Sequence, residues 1–255
     1  MSTSAVTPTR ILLVTGGSRG IGAATAVRAA RAGWDVAINY TRDATAAEAV
    51  AAEVRALGRR AMVVQADVAE EAQVLAMFAA VDASLGRVTG LVNNAGIVDL
   101  PARVDEMSPQ RLQRMWAVNI TGSFLCAREA LKRMSRRHGG PGGAIVNLSS
   151  AAARLGSPNQ YVDYAASKGA IDTFTLGLAR EVAAEGVRVN GVRPGIIDTD
   201  IHASGGQPDR AAQMAPSVPL QRAGTSEEVA AAIVWLLSDE ASYATGTTID
   251  VTGGR

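Results

Sequence analysis

Tyr164 and Lys168 are the residues of this sequence whose types and spacing most clearly suggest acid–base chemistry. Residues four apart on a helix lie on one face, so a phenol and an ammonium group would be neighbours there. Tyrosine ordinarily loses its proton near pH ~10, and an adjacent positive charge favours the phenolate. The pair is therefore a candidate proton donor and acceptor near neutral pH. The spacing alone would also fit an ordinary pair of surface side chains.

A glycine-rich turn near the start of the chain suggests a binding site for phosphate groups. A strand-like run at residues 10–15 leads directly to Gly16, Gly20 and Gly22, and an alanine-rich helix is predicted to follow. A strand, a glycine turn and a helix N-terminus together form the usual site for a dinucleotide pyrophosphate. The spacing GxxxGxG differs from the GxGxxG fingerprint, and such a turn can also be a simple connection.

The end of the second predicted strand indicates which dinucleotide would bind. A site that selects NAD usually carries an acidic residue there, which binds the ribose 2′-hydroxyl. Residues 39–42 read Asn-Tyr-Thr-Arg instead, and Arg19 lies within the glycine turn. Guanidinium groups bind phosphate in a fork geometry, so Arg19 and Arg42 favour the 2′-phosphate of NADP(H). Both arginines could equally be solvated surface charges. Asp35 starts the same strand, at the wrong edge of the sheet, and is predicted to be solvated or a cap.

The elements that must position these residues alternate between strands and helices along the chain. Strands are predicted at residues 10–15, 35–40, 61–66, 89–93, 144–148, 187–192 and 247–251, and helices at 23–32, 44–57, 70–85, 108–137, 161–185 and 226–237. The alternation predicts a single α/β domain at 10–255, with a parallel sheet and helices on both faces. Together with dinucleotide binding at the carboxyl ends of the strands, it predicts a doubly wound sheet with strand order 3-2-1-4-5-6-7. The helical stretch 108–137 is expected to break near Thr121-Gly122. Residues 201–219 are polar and rich in Gly and Pro, and are predicted to be an irregular substrate loop.

Composition narrows the functional classes. The 255 residues carry a formal net charge of +1, which argues against nucleic acid or a membrane surface as the main partner. No apolar run approaches the ~20 residues that span a bilayer. Residues 1–9, predicted to be a flexible N-terminus, lack the features of a signal peptide. The single cysteine, Cys126, cannot form an internal disulfide; a cytoplasmic location and an inert core thiol are expected. No cluster of residues has metal-ligand spacing, so no metal is expected.

Seven motifs together resemble the short-chain dehydrogenase/reductase family, over the chain from Arg10 to Arg255. In the family's order they are Thr15-Gly16-Gly17-Ser18-Arg19-Gly20-Ile21-Gly22, Asp67-Val68, Asn93-Asn94-Ala95-Gly96, Asn119, Ser150, Tyr164-x-x-x-Lys168 and Pro194-Gly195. Within the family, the sequence is similar to 3-oxoacyl-carrier-protein reductases and glucose 1-dehydrogenases. The resemblance implies a Rossmann fold with a seven-stranded sheet, hydride transfer between nicotinamide and a small carbonyl compound or secondary alcohol, and a homotetramer.

The resemblance also implies roles for individual residues. Tyr164 would be the general acid in carbonyl reduction, and Lys168 would lower its pKa and hold the nicotinamide ribose. Ser150 would hydrogen-bond the substrate oxygen, and Asn119 would keep a helix kinked and join Lys168 to a proton relay through water. The residues that would bind the cofactor are Gly16, Ser18, Arg19, Gly20, Ile21, Gly22, Tyr40, Thr41, Arg42, Asp67, Val68, Asn94, Ala95, Gly96, Tyr164, Lys168, Pro194, Gly195, Ile197 and Thr199.

The substrate pocket is expected beside Ser150 and Tyr164. The residues expected to line it are Val98, Ala152, Tyr161 and His202. The interval from Ser150 to Tyr164 is one residue longer than in many relatives, so a bulge is predicted at residues 160–163, and Ser149 stays open as an alternative to Ser150. Mixed polarity and few aromatic residues favour a small polar or short acyl carbonyl compound.

Two other functions remain open from the sequence. One is an NAD-dependent sugar or alcohol dehydrogenase on the same scaffold. The other is a dinucleotide-binding sensor without turnover, a class that usually loses the tyrosine or the lysine, whereas this sequence retains both.

Overall fold

Seven parallel strands form one continuous sheet in the computed structural model, which describes residues 10–255 apart from the side chain of His202. The segment 1–9, predicted to be flexible, lies outside the described residues. The strands are Ile11–Val14 (β1), Asp35–Tyr40 (β2), Ala61–Gln65 (β3), Gly90–Asn93 (β4), Gly143–Leu148 (β5), Val187–Pro194 (β6) and Thr248–Val251 (β7). Their order in the sheet is β3-β2-β1-β4-β5-β6-β7, which confirms the predicted topology.

Helices connect the strands and cover both faces of the sheet. The α-helices are Gly20–Arg31 (α1), Ala44–Ala56 (α2), Glu71–Ser84 (α3), Pro109–Trp116 (α4), Gly122–Met134 (α5), Ala152–Leu155 (α6), Val162–Val182 (α7), Ile201–Ser204 (α8), Arg210–Met214 (α9) and Ser226–Leu237 (α10). Within the described residues, none of the helices combines the length and apolar character that crossing a membrane requires.

Two hydrophobic cores, one on each face of the sheet, hold these layers together. Successive side chains of β1 point to opposite faces, so Leu12 packs into one core and Leu13 into the other. The first core is completed by α1, α2 and α10, and the second by α3, α5 and α7. Cys126 of α5 is fully buried in the second core, and burial raises the pKa of its thiol to about 12. The prediction of an inert core thiol agrees with this placement.

The strand order places a crevice at the carboxyl edge of the sheet. β1 pairs with β2 on one side and with β4 on the other, so the chain connections leave β1 and β4 in opposite directions. Ligands of open parallel sheets bind in the crevice that this reversal opens. The polar residues that follow β1, β4 and β5 therefore converge there.

Two predicted segments differ from the structure in their secondary structure. Residues 108–137 form α4 and α5 joined by a π-helical turn, Ala117–Thr121, so the predicted break near Thr121-Gly122 lies at the end of that turn. Residues 201–219 were expected to be irregular, and this prediction is wrong. The segment folds into α8, α9 and a 3₁₀ turn at Ala215–Ser217, because short helix-forming runs lie between its Gly and Pro residues.

Asp35 also differs from its prediction as a solvated or capping residue. It is 3% exposed and forms ion pairs with Arg59 at 2.7 Å and Arg60 at 2.8 Å. The two arginines stand directly before β3, which pairs with β2, and so they can cover the carboxylate. Asp35 therefore fastens β2 to β3 at the edge opposite the crevice.

Candidate active site

The catalytic helix α7 brings Tyr164 and Lys168 to the crevice on one face, as their spacing predicted. The Lys168 Nζ atom lies 5.6 Å from the centroid of the Tyr164 ring. Both side chains and Ser150 line the same cavity, which opens at the carboxyl ends of β4 and β5. The constellation predicted from residues far apart in the sequence is thus assembled in one place.

Lys168 is buried at the base of this cavity. Its ammonium group donates a hydrogen bond of 2.6 Å to the carbonyl oxygen of Leu148, the last residue of β5. Burial lowers the pKa of Lys168 to about 8, and the carboxylate of Asp172 acts in the opposite direction. The lysine can therefore change its charge at a mildly alkaline pH.

The phenol of Tyr164 differs from the sequence-based expectation. Burial raises its pKa above the ordinary tyrosine value, while a hydrogen bond with the Ser150 hydroxyl acts to lower it. The positive charge of Lys168, whose Nζ atom lies 5.6 Å from the ring centroid, does not outweigh the burial. The pKa of Tyr164 is therefore raised overall, and not lowered as the sequence predicted. Tyr164 holds its proton at neutral pH, as a proton donor must.

Ser150 and Ser149 have separate tasks. The Ser149 hydroxyl is buried and donates a 3.1 Å hydrogen bond to the carbonyl oxygen of Lys168, which fastens α7 to the end of β5. The Ser150 hydroxyl contacts the Tyr164 phenol and accepts a 3.1 Å hydrogen bond from the amide of Ala152. Both serines line the cavity, but it is the Ser150 hydroxyl, rather than that of the alternative Ser149, that contacts the Tyr164 phenol.

Asn119 lies within the π-helical turn and links three parts of the chain. Its side-chain oxygen accepts a 2.8 Å hydrogen bond from the Ile97 amide, and its Nδ2 donates to the Ile97 carbonyl at 2.9 Å. Nδ2 also contacts the Ser167 hydroxyl at 3.1 Å, and that hydroxyl donates to the Tyr164 carbonyl at 2.7 Å. The helix irregularity expected at Asn119 is present, and the residue supports the turn of α7 that carries the catalytic pair. Its implied part in a water relay stays a prediction.

The glycine turn is held by polar residues whose role the sequence did not reveal. The Asn39 side-chain oxygen accepts from the Gly16 amide at 3.2 Å, and its backbone carbonyl accepts from the Gly17 amide at 2.8 Å. From the other side, the Asn94 Nδ2 donates to the carbonyls of Thr15 and Gly16, both at 2.9 Å. Asn94 therefore braces the turn, in addition to lining the predicted cofactor site. The sequence did contain a feature from which this role could have been found: an asparagine stands at or just past the end of each of the two strands that flank β1.

The geometry of the turn fits a dinucleotide pyrophosphate. No side chain caps the N-terminus of α1, and its first turn holds no acidic residue, so the positive end of the helix faces the crevice. Gly20 adopts a φ of +53°, and a Cβ atom at Gly22 would lie 2.4 Å from the Gly16 carbonyl oxygen. The turn thus keeps backbone amides close to the position of a bound phosphate, which larger side chains would block.

The predicted cofactor residues fall into two groups. Those that line the cavity around Tyr164 and Lys168 are Ile21, Asn94, Gly96, Pro194, Ile197 and Thr199, while Gly195 lines a neighbouring cavity. The others lie outward along the same crevice, in the glycine turn and after β2 and β3: Gly16, Ser18, Arg19, Gly20, Gly22, Tyr40, Thr41, Arg42, Asp67 and Val68; Ala95 follows Asn94. The set thus lies at the cavity and in the segments that follow β1, β2 and β3, and its role in binding a dinucleotide stays a prediction.

The charged members of the outer group have distinct surroundings. Arg19 donates a 3.3 Å hydrogen bond to the Ser204 hydroxyl, and Arg42 is exposed just past β2. Neither arginine forms an ion pair with a carboxylate in the described part of the chain. Asp67 is ion-paired with Arg114 at 2.9 Å and accepts a hydrogen bond from the Ala69 amide. Two guanidinium groups without acidic partners in the described residues thus stand in the segments that follow the neighbouring strands β1 and β2.

A second cavity, called the substrate cavity below, adjoins Ser150 and Tyr164, where the substrate is predicted to bind. Val98, Ala152 and Tyr161 line it together with Ser150 and Tyr164. The side chain of His202, also expected there, lies outside the described part of the structure.

The expected bulge at residues 160–163 is corrected by the structure. Ser157 and Asn159 adopt positive φ values of 46° and 59°, whereas Asp163 already belongs to α7. The longer interval is therefore accommodated earlier, in the turn that follows α6.

An ion pair between Arg111 and Asp163 supports the start of α7, and sequence reasoning missed it. The Asp163 carboxylate is fully buried and accepts from Arg111 Nε at 2.7 Å and from a second guanidinium nitrogen at 3.2 Å. It also accepts a 2.9 Å hydrogen bond from the Tyr164 amide. Arg111 additionally donates to the Leu100 carbonyl at 2.6 Å. The pair thus fastens α4, the segment at Leu100 and the start of α7 to one another.

Comparisons with known proteins agree with this geometry. Residues 16–255 match the family model described as "Enoyl-(Acyl carrier protein) reductase". The chain is 56% identical over 245 residues to the uncharacterized oxidoreductase YgfF of Escherichia coli strain K12, covering 96% of this chain and 99% of that protein. It is 39% identical over 248 residues to the 3-oxoacyl-[acyl-carrier-protein] reductase FabG of Staphylococcus aureus strain Mu50, covering 96% and 98%. A crystal structure of a short-chain type dehydrogenase/reductase from Mycobacterium marinum superposes with a TM-score of 0.89 at 35% identity, covering 96% of this chain and 94% of that one.

Proposed function

Because the chain belongs to the short-chain dehydrogenase/reductase family of oxidoreductases, we propose that it is an NADP(H)-dependent enzyme for a small carbonyl compound or secondary alcohol. The observation that carries the proposal is the arrangement of Ser150, Tyr164 and Lys168 where the cofactor and substrate cavities meet. When bound, the nicotinamide would supply or accept the hydride. The chain's own residues would handle the proton and the orientation of the substrate.

Tyr164 acts as the proton donor in the reductive direction. As the carbonyl carbon accepts the hydride, the oxygen gains negative charge and takes the phenolic proton, so that an alcohol forms. The Ser150 hydroxyl holds that oxygen next to the phenol, and the Lys168 ammonium stabilises the phenolate left behind. In the oxidative direction, the same phenolate accepts the proton of the alcohol. The Staphylococcus aureus relative is named a 3-oxoacyl-[acyl-carrier-protein] reductase, which supports a carbonyl as the reacting group.

A tyrosine substitution tests this role. We expect Tyr164→Phe to lower turnover by about 10²- to 10⁴-fold, since the variant lacks the proton donor but keeps the shape of the cavity. NADPH binding, followed by its fluorescence, should be retained. Tyr243→Phe is the matched control, because Tyr243 is fully exposed and is not among the residues that line the two cavities. Full activity of Tyr164→Phe in a panel of carbonyl compounds would overturn the assignment.

Arg19 and Arg42 support the choice of NADP(H). The end of β2 carries no acidic residue, and the two arginines, in the segments that follow β1 and β2, would bind the 2′-phosphate of the adenosine ribose. We expect Arg42→Asp to shift the ratio of NADPH to NADH efficiency toward NADH by about 10- to 100-fold, since a charge-assisted phosphate contact is lost. Arg31→Asp, at the far end of α1, is the control and should leave the ratio unchanged.

The unmodified protein decides between the open alternatives. Faster turnover with NADH than with NADPH would favour the NAD-dependent sugar or alcohol dehydrogenase instead. Dinucleotide binding without turnover of any carbonyl compound or alcohol would favour the sensor. The segment 201–219 as substrate loop, the homotetramer and the cytoplasmic location remain predictions of the sequence and of the family resemblance.

A further inference from the structure

Two arginines lie near Tyr161 at the wall of the substrate cavity. The Arg210 guanidinium carbon is 5.4 Å from the centroid of the Tyr161 ring, and Arg111 approaches from α4. Both positive charges act to lower the pKa of Tyr161, although burial raises it above the ordinary value. Tyr161 is thus enclosed by cationic groups three residues before the proton donor Tyr164.

The two arginines differ in how their charges are balanced. Arg111 is neutralised by the buried carboxylate of Asp163. Arg210 donates a 2.6 Å hydrogen bond to the side-chain oxygen of Gln207, which carries no charge. Within the described part of the chain, no carboxylate forms an ion pair with Arg210. Its positive charge therefore remains available to a ligand.

No Asp or Glu side chain lines the cavity to compensate that charge. Apart from Arg210 and Arg255, the lining residues that the structure describes are apolar or hydroxyl-bearing, with Ser150, Ser157 and Tyr164 among them. When the face of a guanidinium group stacks on an aromatic ring, the position of the arginine is restricted. Its N–H groups remain free to donate two parallel hydrogen bonds to an oxyanion. The electrostatics of the cavity thus favour a negatively charged group on the substrate.

The segment that carries Arg210 is held against this wall. A Cβ atom at Gly205 would lie 3.1 Å from a Val98 methyl group and 3.5 Å from the Tyr161 hydroxyl, so the turn after α8 packs closely on both residues. Gly205 is itself buried. Arg210 is therefore positioned relative to Tyr164 by packing as well as by its contact with the Tyr161 ring.

We propose that Arg210, stacked on Tyr161, binds a carboxylate of the substrate, and that the enzyme therefore reduces oxo acids to hydroxy acids or catalyses the reverse reaction. This inference rests on the proposed function, since it assigns the substrate class of that same site. The carbonyl of the oxo acid lies at Ser150 and Tyr164, and its carboxylate points toward Arg210. The hydride and the phenolic proton convert the carbonyl to the alcohol, and the carboxylate takes no part in the bond changes.

The experiment compares acids with their neutral esters. NADPH oxidation is measured with pyruvate, acetoacetate and levulinate, which place the carboxylate at different distances from the carbonyl, and with the methyl ester of each. We expect kcat/KM for the best acid to exceed that of its ester by about 10- to 100-fold, and Arg210→Gln to remove this difference. Arg210→Lys, which keeps the charge but loses the fork, should retain part of it.

Arg180→Gln is the matched control, since Arg180 is exposed in the last turn of α7. Its ratio of acid to ester should equal that of the unmodified protein. Binding of the corresponding hydroxy acids to the protein with NADP⁺, by calorimetry, provides a second readout that does not require rapid turnover. Binding that Arg210→Gln weakens about 10-fold or more would support the proposal.

Equal efficiency with acids and esters would overturn the carboxylate site but leave the proposed function intact. Preference for dihydroxyacetone phosphate over every acid would also overturn it, because the anion bound would then be a phosphate. Equal binding of hydroxy acids to Arg210→Gln and the unmodified protein would count against it as well. Failure of the proposed function has a different signature: no acid, ester or phosphorylated compound is turned over with NADPH or NADH.

Discussion

Replacing Asp163 by asparagine tests whether the ion pair next to Tyr164 holds the active site together. The Asp163 carboxylate is fully buried, and Arg111 is only 10% exposed. Asparagine keeps the size of the side chain but removes its charge, which leaves the Arg111 guanidinium buried without a counter-charge. Removing one member of a buried ion pair lowers the free energy of unfolding by more than breaking an exposed ion pair does, because the remaining buried charge stays desolvated.

The contacts of Asp163 set the expected size of the effect. Its carboxylate accepts two hydrogen bonds from Arg111, at 2.7 and 3.2 Å, and one from the Tyr164 amide at 2.9 Å. Asparagine can still accept a hydrogen bond from the Tyr164 amide. Its single side-chain oxygen, however, cannot accept both hydrogen bonds of the guanidinium fork, as the two carboxylate oxygens do. We therefore expect the free energy of unfolding to fall by about 3–5 kcal/mol. The matched control, Asp105→Asn, breaks an exposed pair with Arg103 and should cost less than about 1 kcal/mol.

Equilibrium unfolding in urea measures both variants and a double variant. Combining Arg111→Met with Asp163→Asn should cost less than the sum of the single changes, since no buried charge is then left alone. The double variant should still be less stable than the unmodified protein, because Arg111 also donates a hydrogen bond to the Leu100 carbonyl. The reasoning would be refuted if Asp163→Asn lowered the free energy of unfolding no more than Asp105→Asn does. It would also be refuted if the effects of Arg111→Met and Asp163→Asn simply added in the double variant.

Two further predictions concern the catalytic lysine and the glycine turn. Lys168, with its pKa lowered to about 8, carries its charge below that pH and loses it above, so carbonyl reduction should decline as the pH rises through about 8. A pH profile of kcat/KM that stays flat to about pH 10 would contradict this. Gly22→Ala places a methyl group 2.4 Å from the Gly16 carbonyl oxygen and 2.6 Å from Asn94 Nδ2, and should lower stability by about 1–3 kcal/mol and weaken NADPH binding. Gly177→Ala, which meets nothing within 4 Å in the middle of α7, should instead raise the melting temperature; equal effects of the two changes would be evidence against a crowded turn.

The sheet and the shared face of Tyr164 and Lys168 could be predicted from the sequence because their signals are local. Each strand is a short apolar run between turn residues, and no strand end differs from its prediction by more than two residues. Tyr164 and Lys168 are four apart on one helix, so helix geometry alone places them on one face. The alternation of strands and helices gives the parallel sheet, and the strand order follows from the dinucleotide-binding fold that the glycine turn indicates.

Features that depend on packing between distant segments could not be predicted in this way. Arg111 and Asp163 are 52 residues apart, and they meet only because α4 packs on α7. The pKa of Tyr164 depends on how deeply the cleft buries it, which no spacing shows. The positive φ angles of Ser157 and Asn159 are similarly set by the space between α6 and α7.

The asparagines around the glycine turn influence how tightly a cofactor would bind. Asn39 and Asn94 hold the amides and carbonyls of Thr15, Gly16 and Gly17 before any ligand arrives. Fixing the backbone of one residue costs roughly 1–2 kcal/mol of conformational entropy, and glycine loses more freedom than other residues. That cost is met when the protein folds rather than when the dinucleotide binds, so less of the binding free energy is spent on ordering the loop.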